Sequence, residues 1–134
     1  MRSHIKPGSK EFAFRLDAHS GVPVYRQLID QVQIAITTGC LSLGDQLPTV
    51  RGVAVDLAIN PNTVVRAYRE MEIRGILDSQ QGSGTFISAT PIEHSQEERE
   101  RQLSQLVAEF VVRAGSAGFK VKELLEALQQ MSPE

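Results

Sequence analysis

The spacing of apolar residues changes several times along the chain, and each change marks a predicted element. Apolar side chains alternate along residues 12–16, which predicts a short strand. From Val24 onward apolar residues recur at intervals of three and four, the pattern of an amphipathic helix that ends at Gly39. The chain is therefore predicted to begin with a strand and a helix.

Two short helices with a tight turn between them are predicted next. Thr49 is a suitable N-cap for a helix from Val50 to about Leu57. Asn60 is a suitable N-cap for a third helix, and Pro61 suits its first position, where a backbone N–H would have no partner. Two helices joined in this way match a helix-turn-helix, whose second helix enters the major groove of DNA.

A β-hairpin is predicted after Gly75, which ends the third helix. The apolar stretches Ile76–Ser79 and Thr85–Ser88 flank a glycine-rich tip, the usual pattern of a hairpin. A hairpin in this position would form the wing of a winged helix-turn-helix domain. The predicted fold is therefore α+β, with an N-terminal winged helix-turn-helix domain followed by two C-terminal helices for dimerisation.

The two C-terminal helices follow from apolar stripes on either side of Gly115 and Gly118. Neither stripe is easily covered by the other, and a symmetric dimer is the simplest way to cover both. The expected dimerisation residues are Leu103, Leu106, Val107, Phe110, Leu124, Leu125 and Leu128. The predicted organisation is a flexible arm (1–11), a DNA-binding domain (12–88), a linker (89–95) and a helical dimerisation region (96–134).

Charge is unevenly distributed along the chain. The net charge of −2 at first argues against a nucleic-acid partner. Residues 1–91 contain nine Lys or Arg and eight Asp or Glu, a net charge of +1, whereas residues 92–134 contain five and eight, a net charge of −3. The first part can thus present a basic face. The chain has no secretory signal and no apolar run of the roughly 18–20 residues that span a bilayer, so we expect a cytoplasmic protein without a membrane partner.

The sequence contains no pattern that is typical of an enzyme's catalytic site. The three histidines have no metal-ligand spacing, and Cys40 is expected to be a small buried residue. The glycine-rich segment 82–85 lacks the lysine and the following helix of a phosphate-binding loop. We therefore expect no enzyme activity, no metal and no cofactor. Two C-terminal helices are also too few to enclose a small-molecule effector pocket.

The outward positions of the third helix have the residue types that DNA recognition needs. They are polar or cationic, with short side chains at the helix start and arginine further along: Asn62, Thr63, Arg66 and Arg69. Short side chains can reach base edges, and arginine can reach guanine or phosphate. Two alternatives remain open at this point. The segment 60–63 can be only a good helix start, and the arginines can pair with Glu70 or Asp56.

The ordered set of motifs from Val22 to Ile87 resembles the DNA-binding domain of the GntR family of bacterial regulators, in particular its YtrA-type subfamily. The matching segments are Pro23–Leu28, Gly39–Leu41, Gly44–Arg51, Asn60–Glu72, Gly75–Leu77 and Gly82–Ile87. They cover about half of the chain in the right order. Departures are Leu43, Thr49 and Val53, where the family usually has proline, serine and leucine; they affect a turn, a cap and a core position.

The resemblance implies DNA contacts at the start of the second helix, the start of the third helix and the wing tip. The candidate DNA-binding residues are Arg51, Asn60, Asn62, Thr63, Arg66, Gln81, Gly82, Ser83, Gly84 and Thr85. Many relatives have arginine at the positions of Pro61 and Val65, so the base specificity of relatives is not transferred to this chain.

The leading hypothesis is a homodimeric repressor that binds an inverted-repeat operator in double-stranded DNA. A winged-helix module that binds proteins and no longer binds DNA is the alternative, although the retained polar residues count against it. A third hypothesis, the N-terminal part of a pyridoxal-phosphate enzyme, would require an aminotransferase domain that these 134 residues do not contain.

Overall fold

The computed structural model describes residues 12–89 and 95–131, which divide into two compact units at the boundary between Ala89 and Thr90. The described elements are α1 (Val24–Thr38), α2 (Val50–Leu57), α3 (Pro61–Ile73), β1 (Leu77–Gln80), β2 (Gly84–Ile87), α4 (Gln96–Ser116) and α5 (Val121–Met131). This order confirms the predicted α+β class. The predicted arm (1–11), most of the predicted linker and residues 132–134 lie outside the described residues.

Helices α1, α2 and α3 pack around one apolar core in the first unit. Their inward faces contribute residues that are completely or almost completely buried, including Leu28, Val32, Val64 and Met71. The predicted caps are present: Thr49 Oγ1 accepts the Gly52 N–H at 3.0 Å, and Asn60 Oδ1 accepts the Asn62 N–H at 2.8 Å. Local capping chemistry therefore sets where α2 and α3 begin.

The predicted strand at residues 12–16 is wrong. The segment forms no strand, although its side chains alternate as predicted. Phe14 is buried in the core, and Phe12 and Leu16 are partly buried against the core. Side-chain amides of α1 take the place of a neighbouring strand. Gln31 accepts the Arg15 N–H at 2.8 Å and donates to the Arg15 carbonyl at 2.5 Å, and Gln27 binds the N–H and carbonyl of Asp17 at 2.8 and 3.0 Å. The side chains therefore alternate because the segment is extended, and its backbone is bound by Gln27 and Gln31 and not by another strand.

The hairpin is antiparallel, with Leu77 opposite Ile87 and Gln80 opposite Gly84. Strand β1 begins and ends one residue later than predicted, and β2 begins and ends one residue earlier. The loop before α2 runs along the other edge of β2, where the Leu47 N–H donates to the Thr85 carbonyl at 2.9 Å and the Ile87 N–H donates to the Asp45 carbonyl at 2.8 Å. Both edges of β2 are therefore hydrogen-bonded, which ties the hairpin to the helical core.

The second unit consists of α4 and α5. Ser95 caps α4 by accepting the Glu98 N–H at 3.1 Å, with Glu97 and Glu98 in the first turn and Arg113 in the last. These charges suit the helix dipole. The apolar side chains of both helices are largely exposed within this single chain, and Phe110 and Leu125 retain 45% and 55% of their accessible surface.

Candidate nucleic-acid interface

The turn between α2 and α3 is short because one residue adopts a left-handed conformation. Ala58 has φ 56° and ψ 46°, the only positive φ of a residue other than glycine among the described residues. The Ile59 N–H then donates to the Ala54 carbonyl at 3.0 Å. Three residues suffice to reverse the chain before Pro61, which produces the compact turn of a helix-turn-helix.

A buried hydroxyl fixes α3 relative to the start of α2. Tyr68 lies on the inward face of α3, and its hydroxyl donates to the Pro48 carbonyl at 2.6 Å. Burial raises the pKa of the Tyr68 hydroxyl above its ordinary value. The group therefore remains a donor at neutral pH, and the bond holds the two helices of the motif in place.

The outward face of α3 carries the predicted polar residues. Asn62, Arg66 and Arg69 are exposed and Thr63 is partly exposed, whereas Val64, Ala67, Tyr68 and Met71 face the core. The side-chain oxygen of Asn60 is occupied by the helix cap, so only its NH₂ group remains to face a partner. The start of α3 thus presents short polar side chains next to backbone N–H groups.

The alternative in which the arginines of α3 pair with Glu70 or Asp56 is not what the structure shows for Arg66. Glu70 instead binds Arg74, with contacts of 3.2 and 2.7 Å from Nε and Nη2 to one carboxylate oxygen. Arg66 lies over the ring of Tyr25 in α1, with its guanidinium carbon 3.8 Å from the ring centroid. Within residues 12–89 and 95–131, neither Arg51 nor Arg66 forms an ion pair, and both are exposed.

The wing tip is held by a side chain that the sequence analysis did not single out. Gln46, in the loop before α2, donates from Nε2 to the Ser83 carbonyl at 3.1 Å. Gln81, Gly82 and Ser83 are exposed at the tip, whereas Gly84 is half-buried beside Gln46. Gln46 and Ser83 are 37 residues apart, and no local sequence pattern predicts a contact over that distance, so Gln46 could not be identified from the sequence.

Thr85 lies in β2 rather than at the tip. Its carbonyl accepts the Leu47 N–H at 2.9 Å, and its side chain lies opposite Ser79 of β1. The Ser79 hydroxyl also donates to the Glu72 carboxylate of α3. These contacts connect the wing to the end of α3 within the first compact unit.

The described part of the chain holds no group of three or more His, Cys, Asp or Glu residues that could bind a metal, and none of its helices is long and apolar enough to cross a membrane. Cys40 is half-buried rather than buried, and its sulfur lies 3.6 Å from the Thr38 hydroxyl.

Comparison with known proteins agrees with this arrangement. The family model for bacterial regulatory proteins of the gntR family matches residues 24–87. The HTH-type transcriptional repressor YtrA of Bacillus subtilis is 32% identical over 120 residues, which cover 90% of this chain and 92% of that protein. The uncharacterized HTH-type transcriptional regulator YhcF of the same organism is 36% identical over 110 residues, or 82% of this chain and 90% of that protein.

Among solved structures, the fold is similar to that of a transcriptional regulator from Oenococcus oeni. The TM-score is 0.56 at 31% sequence identity, over 87% of this chain and 96% of that one. The similarity extends beyond the residues that the family model matches.

Proposed function

Because the chain belongs to the GntR family of bacterial regulatory proteins and resembles its YtrA-type members, we propose that this DNA-binding transcriptional regulator is a homodimeric repressor of an inverted-repeat operator. The proteins to which it is similar are regulators of transcription and not enzymes. A regulator that binds chromosomal DNA acts in the cytoplasm, which is the location that we propose.

The observation that carries the proposal is the exposed start of α3. Asn62 and Thr63 lie in its first turn, where short side chains can reach base edges in the major groove. Because the side-chain oxygen of Asn60 caps the helix, only its NH₂ group is left as a donor. A single donor group of this kind suits a phosphate oxygen better than it suits the recognition of a particular base. We propose that Asn62 and Thr63 read bases and that Asn60 contacts the backbone.

Arg51 and the wing tip extend the proposed contact surface on either side of α3. Arg51 is the second residue of α2 and is exposed without an ion pair among the described residues. Gln81, Gly82 and Ser83 form an exposed tip whose small residues allow the backbone to approach DNA closely. Gly84 and Thr85 lie in β2 and support the tip. We propose that Arg51 and the wing tip contribute phosphate contacts.

Exposed apolar side chains support dimerisation through the second unit. Leu103, Leu106, Val107, Phe110, Leu125 and Leu128 each retain 45–63% of their accessible surface, and Leu124 is partly exposed. Apolar side chains that share one helical stripe and stay exposed in a single chain are typical of an interaction surface. A two-fold dimer covers the same stripe on both protomers, and repression then follows if the dimer blocks access of the polymerase to the DNA.

Binding titrations at two salt concentrations test the DNA-contact surface. The probes are a duplex that the parent protein enriches from a random-sequence pool and an unselected duplex. Arg51→Ala should weaken binding to both probes alike and lower the salt slope by about one unit. Thr63→Val should cost about 1–3 kcal/mol on the enriched duplex and little on the unselected one.

Arg99→Ala, which removes an exposed cation from α4, is the matched control and should leave both affinities unchanged. The protein-interaction alternative would be favoured if the parent chain enriched no duplex. If Arg51→Ala and Thr63→Val both bound as the folded parent does, the DNA-contact surface would have been placed on the wrong side of the domain.

A further inference from the structure

Arg66 does not extend freely from α3. Its guanidinium carbon lies 3.8 Å from the centroid of the Tyr25 ring. Tyr25 is the second residue of α1, and its half-buried ring packs against the core. The stack therefore connects an exposed cation of α3 to an aromatic ring whose position the core fixes.

The stack leaves the hydrogen-bonding edge of Arg66 unused. A guanidinium lies over an aromatic ring by its flat face, whereas its five N–H donors point outward in the plane of the group. The carboxylate one helical turn further on, that of Glu70, is bound to Arg74. Arg66 thus keeps its charge and its N–H donors while its guanidinium is held next to the Tyr25 ring.

Because the Arg66 guanidinium lies over Tyr25, it is on the side of α3 that faces α1. This position suits the edge of a groove, where phosphates lie, better than the floor of the groove, where base edges lie. Arginine binds phosphate oxygens with two parallel hydrogen bonds, which makes the orientation of its plane important.

We propose that Tyr25 is a positioning residue for DNA binding, which holds Arg66 in the orientation that contacts a DNA phosphate. The inference rests on the proposed role of α3 as the helix that enters the groove. A free arginine loses rotamer freedom when it binds, and a side chain that is held beforehand loses less. Tyr25 therefore raises affinity without touching DNA itself.

A double-mutant cycle tests this role with the full chain and a fluorescently labelled duplex of unselected sequence. Tyr25→Leu, which fills much of the same space without an aromatic face, should weaken binding by about two- to fivefold. Tyr25→Phe keeps the ring and should bind as the parent does. In the Arg66→Ala background, Tyr25→Leu should have no further effect, because the side chain that Tyr25 positions is gone.

Equal weakening by Tyr25→Leu in both backgrounds would overturn the proposal, since a ring that only supports the fold acts whether or not Arg66 is present. Parent-like binding by Tyr25→Leu or by Arg66→Ala would also overturn it. In either case, tight binding of the parent to the duplex would leave the proposed DNA-binding function intact. Failure of the parent itself to bind would contradict both proposals.

Discussion

At the scale of single residues, hydrogen bonds within the fold decide which atoms are left for DNA. The oxygen of Asn60 is used as a helix cap, and the amide of Gln46 is used to hold the wing. Asn62, by contrast, has an exposed side-chain amide, and Arg66 forms no ion pair among the described residues although its guanidinium lies over the Tyr25 ring. The sequence alone places all four in plausible motifs, but it does not show which groups are already occupied.

Gly84 and Gln46 illustrate how closely the wing is fitted to the loop before α2. Gly84 has φ +125°, and a Cβ added there would lie 2.4 Å from Gln46 Nε2. Because that atom is the end of a flexible side chain, Gln46 could move aside, but it would then lose its bond to the Ser83 carbonyl. The position therefore requires glycine for both backbone and steric reasons.

Gly84→Ala is expected to lower the free energy of unfolding by about 1–3 kcal/mol, measured by urea denaturation. Gly82→Ala is the matched control, since it has φ +81° and no atom within 4 Å of an added Cβ. Gly82→Ala should lower the free energy of unfolding through backbone strain alone. Gly84→Ala should lower it by about 1 kcal/mol more, which is the contribution of the lost hydrogen bond. Equal losses for the two variants would show that Gln46 does not brace the tip.

At the scale of elements, the helices could be predicted because their signals are local. Thr49, Asn60 and Pro61 define helix starts through contacts within three residues, and the structure confirms them. The strand prediction at 12–16 failed because a strand depends on its partner. Gln27 and Gln31 supply that partner from a helix, and glutamines on a helix give no sign of such a role in the sequence.

The helix-turn-helix turn carries a strain that a substitution should relieve. Ala58 has a left-handed backbone, which costs about 1–2 kcal/mol for a residue with a Cβ. Ala58→Gly removes this strain but loosens the unfolded chain, which offsets about 0.4–1 kcal/mol. The free energy of unfolding should therefore rise, by up to about 1.6 kcal/mol.

Ala13→Gly provides the control, because Ala13 is exposed and its φ is not positive. It should lower the free energy of unfolding by about 0.4–1 kcal/mol through the unfolded chain alone. Urea denaturation of both variants measures the two values. A loss of stability with Ala58→Gly would contradict the view that the turn is strained.

At the scale of the whole molecule, the exposed stripes of α4 and α5 are the feature that one chain leaves unexplained. The spacing of apolar residues predicted two helices here, which the structure confirms, and Phe110 on the predicted stripe of α4 is 45% exposed in the single chain. In the proposed two-fold dimer, the same stripe of a second copy covers them.

Phe110→Glu is expected to convert the proposed dimer into a monomer in sedimentation experiments, because a charge at the centre of an apolar interface would be left without a partner. Val112→Glu is the matched control, as Val112 is 68% exposed on the same helix but lies outside the predicted stripe. It should leave the dimer intact. Dissociation by both variants alike, or by neither, would reject the assignment of the interface to this stripe.

The prediction that tests the central proposal most directly is the symmetry of the bound DNA. Hydroxyl-radical footprinting of the full chain on a duplex enriched from a random-sequence pool measures it. A two-fold dimer with one α3 per protomer should protect two inverted half-sites, with centres about 10 base pairs apart if the two helices enter adjacent major grooves. Protection of one asymmetric half-site at full affinity would contradict the account.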